Sequence, residues 1–131
     1  MIHTFKSGDK KHFTKIVVEH DTAIFDSGAV HPVYATFALG RDAEWVCRLF
    51  VLEMKEEDEE GIGTFLKIEH LSPAILNSEV IFEATLKAVE GNSVLCSFEA
   101  RVGDRIIAKG ETWQKVLKKE KLEMLFNNLI K

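Results

Sequence analysis

Residues 32–54, PVYATFALGRDAEWVCRLFVLEM from Pro32 to Met54, decide how the rest of the chain can be arranged. Their apolar side chains recur too densely for the alternation of a half-buried strand, and Gly40 is the sole glycine among them. The pattern predicts one long helix over 32–54. Pro32 suits its first turn, where a missing amide hydrogen leaves nothing unpaired. Apolar residues fall nearly all round this helix, so protein has to enclose it.

The flanking segments supply the enclosure. Before the helix, residues 13–20 (FTKIVVEH) are rich in β-branched side chains and read as a strand, followed by a turn-like connection from Asp21 to Gly28. After it, the acidic run Glu56 to Glu60 ends the helix, and Gly61 and Gly63 lead into a strand over 62–71. Ser72-Pro73 makes a turn, and Asn77 suits a left-handed reversal. Residues 79–90 alternate, with Val80, Phe82, Ala84, Leu86 and Ala88 on one face. Gly91-Asn92 and Gly103-Asp104 are hairpin turns that bound a strand over 93–102. A last strand over 105–117 contains Gly110, the mark of a bulge or a close backbone approach. Residues 119–130 form a short amphipathic helix with Leu122, Leu125, Phe126 and Leu129 on one side.

The order is strand, long buried helix, then four consecutive antiparallel strands. Such a sheet has one face to cover, and only the 32–54 helix is apolar and long enough to cover it. The sheet therefore curls around the helix, as a single α+β hotdog domain with its core at about 13–117. One such sheet leaves an edge strand and part of the helix open, which predicts a homodimer, with pairing of dimers into tetramers left undecided.

Composition bounds the function. The 131 residues are 46% hydrophobic with a formal net charge of -4, the range of one globular domain. Residues 1–100 carry 9 Lys/Arg against 17 Asp/Glu, whereas residues 101–131 carry 8 against 4. An acidic chain without a long basic tract argues against non-specific nucleic-acid binding, but a small anionic ligand on a local basic patch remains compatible. Cys47 and Cys96 lie in apolar runs without metal-ligand spacing and read as buried free thiols of a reducing compartment. The N-terminal residues have no apolar leader pattern and no stretch is apolar enough to span a membrane, so a cytoplasmic location is expected.

Charged residues inside the long helix are the first candidates for chemistry. Glu44 lies three residues after Arg41 and four before Arg48, spacings that suit helix-surface ion pairs, and Asp42 fits the same account. Glu44 is ambiguous, because Ala43, Trp45, Val46 and Cys47 around it imply partial burial, and a partly buried carboxylate is a candidate base. His70 alternates with Leu66 and Ile68, so it points toward the helix, either as a satisfied core histidine or as an acid/base group. His3, His12, His20 and His31 lack such a setting, and His20-Asp21 has no further ligand spacing, so no metal is expected. Thr36 by default competes for backbone hydrogen bonds at the helix start. Gly61 and Gly63 read as turn glycines, although Gly63 is also able to leave an amide facing a carbonyl oxygen.

The run His31-Pro32-Val33-Tyr34-Ala35-Thr36, Glu44 eight residues on, Gly61-Ile62-Gly63-Thr64, and Ile68-Glu69-His70-Leu71-Ser72-Pro73 together resemble the fluoroacetyl-CoA thioesterase-like family of hotdog proteins. The similarity spans roughly 13–117, including Gly110-Glu111-Thr112. It implies a catalytic set of Thr36, Glu44 and His70, with Gly63 and Thr64 beside the thioester. It also implies an acyl-CoA substrate and no cofactor beyond the CoA of that substrate. The segment before the helix, Ser27-Gly28-Ala29-Val30, departs from the family's aromatic lid, so the reaction class is implied and the fluorinated substrate is not.

In this reading Glu44 is the general base or nucleophile, His70 orients water and shuttles a proton, and Thr36 either attacks or hydrogen-bonds the carboxylate. Two other readings keep the same residues: a hotdog acyl-CoA hydratase or dehydratase, and a non-catalytic acyl-CoA-binding protein. Cations to meet the CoA phosphates are available in the basic segment as Arg101, Arg105, Lys109, Lys115, Lys118 and Lys119.

Overall fold

In the computed structural model, which describes residues 1–130, the chain runs β1 (Lys10–Ile16), a 3-10 turn (Glu19–Asp21), β2 (Thr22–Phe25), β3 (Gly28–Tyr34), α1 (Thr36–Met54), β4 (Glu59–His70), β5 (Glu79–Glu90), β6 (Ser93–Val102), β7 (Arg105–Lys118) and α2 (Lys119–Ile130). Five strands make one antiparallel sheet in the order β1-β5-β6-β7-β4. The predicted hairpins at Gly91 and Gly103 both form, each glycine with a positive φ, and Asn77 takes φ 74° at its reversal. The alternation of 79–90 and 93–102 turns Val80, Phe82, Ala84 and Leu86 inward beside Val94, Cys96, Phe98 and Ala100, all buried. Helix α1 packs across that inner face and touches all five strands. This is the hotdog arrangement, a sheet wrapped on one long helix.

Several expectations shift at the boundaries. The helix begins at Thr36, and Pro32 lies in β3. The backbone pairs the segment as strand instead: Tyr34 N donates to Ala74 O at 2.8 Å and Leu76 N to Pro32 O at 3.1 Å. Proline, lacking a donor, is tolerated where its own amide has no ladder partner. The first strand ends at Ile16, because Val17 exchanges backbone bonds with Asn77 and Ser78, and the Asp21 carboxylate accepts the Val18 amide to turn the chain. The stretch read as a turn, 21–28, contains β2, which pairs with β3 in a small separate hairpin. Of the four consecutive strands, β4 does not pair with β5; it crosses to the far side and pairs with β7.

Gly110 is a close-approach glycine. A methyl group placed on it would stand 1.8 Å from the Lys67 carbonyl oxygen on β4. The nearby bulge falls instead in β4, where the register shifts between Gly63 and Phe65 and leaves Thr64 out of the ladder.

The helix is not enclosed on every side within one chain. Its buried face comprises Ala38, Leu39, Ala43, Val46, Cys47, Phe50, Val51 and Met54, whereas Phe37, Trp45 and Leu52 are exposed. Cys47 and Cys96 are both buried and unbonded. Among the described residues no helix is long and apolar enough to cross a membrane.

Candidate active site

The site begins where β3 ends. Ala35 is the last extended residue, Thr36 opens α1, and the Ala35 amide is tied to Asp21 O at 2.9 Å. This start leaves the Thr36 hydroxyl free of capping work. It reaches across to β4, where Thr36 Oγ1 lies 2.9 Å from His70 Nδ1. His70 points inward as the alternation predicts, and its Nε2 is buried with no hydrogen-bond partner. Burial pushes the His70 imidazolium below the usual histidine range, against a smaller opposing pull from the Ser72 backbone that stops short of hydrogen-bond geometry. The ring is therefore neutral at pH 7, with Nδ1 on the threonine hydroxyl.

Two turns along α1, Glu44 shares a cavity of about 970 Å³ with Thr36 and His70. Its carboxylate faces the bulged end of β4: a methyl group on Gly63 would stand 3.4 Å from Glu44 Oε1. Gly61 and Gly63 thus sit inside a strand and not in a turn. On its other side Glu44 lines a smaller cavity of about 260 Å³ with Arg41, Arg48, Gly63, Thr112 and Gln114. Thr112 Oγ1 and Gln114 Nε2 are buried there without partners. Thr64 is the one expected site residue that stands apart, since its hydroxyl donates to Trp113 O at 3.2 Å on the exposed side of the bulge.

The charges of α1 are deployed differently from the helix-surface pairs expected. Arg41 Nη2 meets Asp21 Oδ1 at 2.8 Å and Asp42 Oδ2 at 3.1 Å, and Arg48 meets Glu60 at 3.1 Å. Neither arginine holds Glu44. Asp42, expected on the surface, is buried and accepts a hydrogen bond from the buried Tyr34 hydroxyl, whereas Glu44, expected to be partly buried, is exposed in the single chain. A neighbouring arginine is consumed whenever a more buried carboxylate competes for it, because desolvated charges gain most from pairing. The freed Glu44 is left facing the cavity.

None of the six basic residues read as CoA-phosphate candidates lines this cavity. Arg105 bonds the Ser72 hydroxyl and Pro73 O, Arg101 bonds Gly103 O, and Lys118 pairs with Asp58. Lys109 lies in a charged depression lined by Lys67, Glu69 and Glu111. The cations near the site are Arg41 and Arg48. Among the described residues no group of three or more His, Cys, Asp or Glu is placed to hold a metal ion.

The family model described as fluoroacetyl-CoA-specific thioesterase matches residues 17–120. The chain belongs to this family. It is a thioester hydrolase, and the residues just described fall inside the matched span. A solved structure from Thermus thermophilus, described as a hypothetical protein and a thioesterase superfamily member, is 36% identical, covers 95% of this chain and 92% of its own, and superposes with a TM-score of 0.91. The fluoroacetyl-CoA thioesterase FlK is 23% identical over 95% of this chain and 96% of its own, TM-score 0.87. A point variant of FlK in complex with fluoroacetate and CoA is 24% identical over 90% and 99%, TM-score 0.83. At these identities the FlK structures share the fold. No curated protein sequence matches the chain significantly.

Two parts of this thioesterase-family site escape a reading of the sequence. The network of Asp21, Arg41, Asp42 and Tyr34, which fixes the start of α1, joins residues up to 21 positions apart with no periodic signal. The cavity wall contributed by β2 had a signal, Ala23-Ile24-Phe25 before Asp26-Ser27-Gly28, which is a short apolar run ahead of turn residues.

Proposed function

We propose that this chain hydrolyses acyl-CoA thioesters through Thr36, Glu44 and His70. The supporting observation is the 2.9 Å contact between Thr36 Oγ1 and the neutral His70 ring, the spacing of a hydroxyl nucleophile and its base. His70 accepts the Thr36 proton as Oγ1 bonds to the thioester carbonyl carbon. The carbon–sulfur bond then breaks, and the CoA thiolate recovers the proton from His70. Glu44, which faces the same cavity, takes a proton from the water that attacks the acyl–Thr36 ester, and Thr36 Oγ1 recovers that proton as its bond to the acyl carbon breaks and the free acid leaves.

Thiol release from acyl-CoAs tests the reading. Glu44→Gln and His70→Ala are expected to lower kcat at least 100-fold, and a wild-type rate no higher than theirs would reject it. Double-bond hydration without thiol release would instead mark a hydratase. For the nucleophile, single-turnover mass spectrometry is expected to find the acyl group on Thr36; appreciable turnover by Thr36→Ala would leave water as the attacking group.

The same reading includes a homodimer. Strand β4 is an edge of the sheet, and Trp45 and Leu52 expose an apolar strip on the adjacent helix. A second copy adding to that edge would cover both.

A further inference from the structure

The cavity beside Thr36 is far larger than a two-carbon acyl group needs. At roughly 30 Å³ per heavy atom, the share of one molecule in liquid water, an acetyl or fluoroacetyl group takes about a tenth of its 970 Å³. An eight-carbon chain takes about a quarter on the same measure. Beyond the polar residues the walls are apolar. Phe25 on β2 and Phe37 on α1 meet edge to face with centroids 6.1 Å apart, and Leu66 and Ile68 rise from β4. Both phenyl groups are 56% exposed, so they present open aromatic surface to whatever enters. An apolar occupant that covers such surface gains in proportion to the area removed from water.

Charge narrows the occupant further. Arg41 is the sole Lys or Arg lining the cavity among the described residues, and Asp21 and Asp42 already hold its guanidinium. A chain ending in a carboxylate would meet the Glu44 carboxylate and a guanidinium whose charge Asp21 and Asp42 already offset.

Resting on the thioesterase reading above, we propose that the acyl group is uncharged, apolar and longer than two carbons, lying between Phe25, Phe37, Leu66 and Ile68 with its carbonyl at Thr36. The cavity continues from the polar set without a break, which makes the substrate's own chain its occupant.

The test measures thiol release by the full chain from acetyl-, fluoroacetyl-, butanoyl-, hexanoyl-, octanoyl- and succinyl-CoA, with Glu44→Gln as the blank. The expected kcat/KM rises about fourfold per methylene from acetyl to hexanoyl, and succinyl-CoA falls at least tenfold below butanoyl-CoA. Leu66→Trp, which places an indole in the path of the chain, is expected to lower the octanoyl-to-acetyl ratio at least tenfold; a ratio within one preparation does not depend on how much of it is folded. Acetyl- or fluoroacetyl-CoA matching hexanoyl-CoA would overturn the proposal. So would a profile flat in chain length, the result if a second copy of the chain covers the phenyl groups instead. No thiol above the blank from any substrate would remove the Thr/Glu/His reading itself, and this proposal with it.

Discussion

At the scale of single residues, burial decides which charges are available. His70 is the clearest case. Because burial disfavours its imidazolium, the folded chain binds that proton less readily than the unfolded chain, whose histidines titrate near 6.5. The sign follows from linkage: below about pH 6.5 the unfolded state binds more protons, so His70 lowers stability as pH falls through that value and has no such effect above it. An NMR titration of the His70 ring is expected to give a midpoint below the ordinary histidine range, and a midpoint at or above 6.5 would contradict the burial described. Asp21 works in the opposite direction. Burial alone would raise its carboxyl, but Arg41, the Val18 amide and Lys15 together hold it below the usual carboxylate range. Its stabilising contribution is therefore complete above the unfolded value near 3.9 and lost as pH falls through the folded one. Arg41→Ala leaves Asp21 and Asp42 short of their shared partner and is expected to cost about 2 kcal/mol in urea denaturation. Since Arg41 also fixes the start of α1, the same variant is expected to lower kcat more than it raises KM.

At the scale of elements, one contact between two strands carries the sheet past its midline. Strand β7 passes close enough to β4 at Gly110 that any Cβ would overlap the Lys67 backbone and press on Phe98. Gly110→Ala is expected to destabilise the chain by about 3 kcal/mol or more, because backbone cannot step aside as a flexible side chain can. Thermal unfolding by circular dichroism checks it, and a shift within a degree or two of wild type would show that β4 and β7 separate more easily than their register implies. Gly63 belongs to the same pair of strands, but a methyl group there would stand 3.4 Å from the Glu44 carboxylate, so Gly63→Ala fits with little strain. Its expected effect is on activity, through crowding of Glu44, and not on stability. Strand β3 shows the limit of reading elements from pattern: Pro32 and Val33 look like the first turn of a helix, yet two backbone bonds to the 74–76 segment hold them extended.

At the scale of the whole molecule, the open flank is the exposed strip of α1 beside the free edge of β4. If a second copy covers it as proposed, analytical ultracentrifugation at micromolar concentration finds a dimer, and Trp45→Glu shifts the population to monomer, because a buried unpaired carboxylate costs several kcal/mol. A wild-type monomer at those concentrations would refute the pairing. The sequence by itself determined the long apolar helix, the three strands 79–117 with their two hairpins, and therefore a sheet wrapped on a helix, since periodicity and turn chemistry are local signals. The spacing of Thr36, Glu44 and His70 was legible only through resemblance, because no local rule says that residues 34 apart meet. Only the tertiary structure decided which carboxylate is buried. Local composition around Glu44 argued for its burial, but Asp42, turned toward Tyr34, took that place and shares Arg41 with Asp21. Pairing of charges across elements depends on desolvation and distance, and both are fixed only once the helix lies on the sheet.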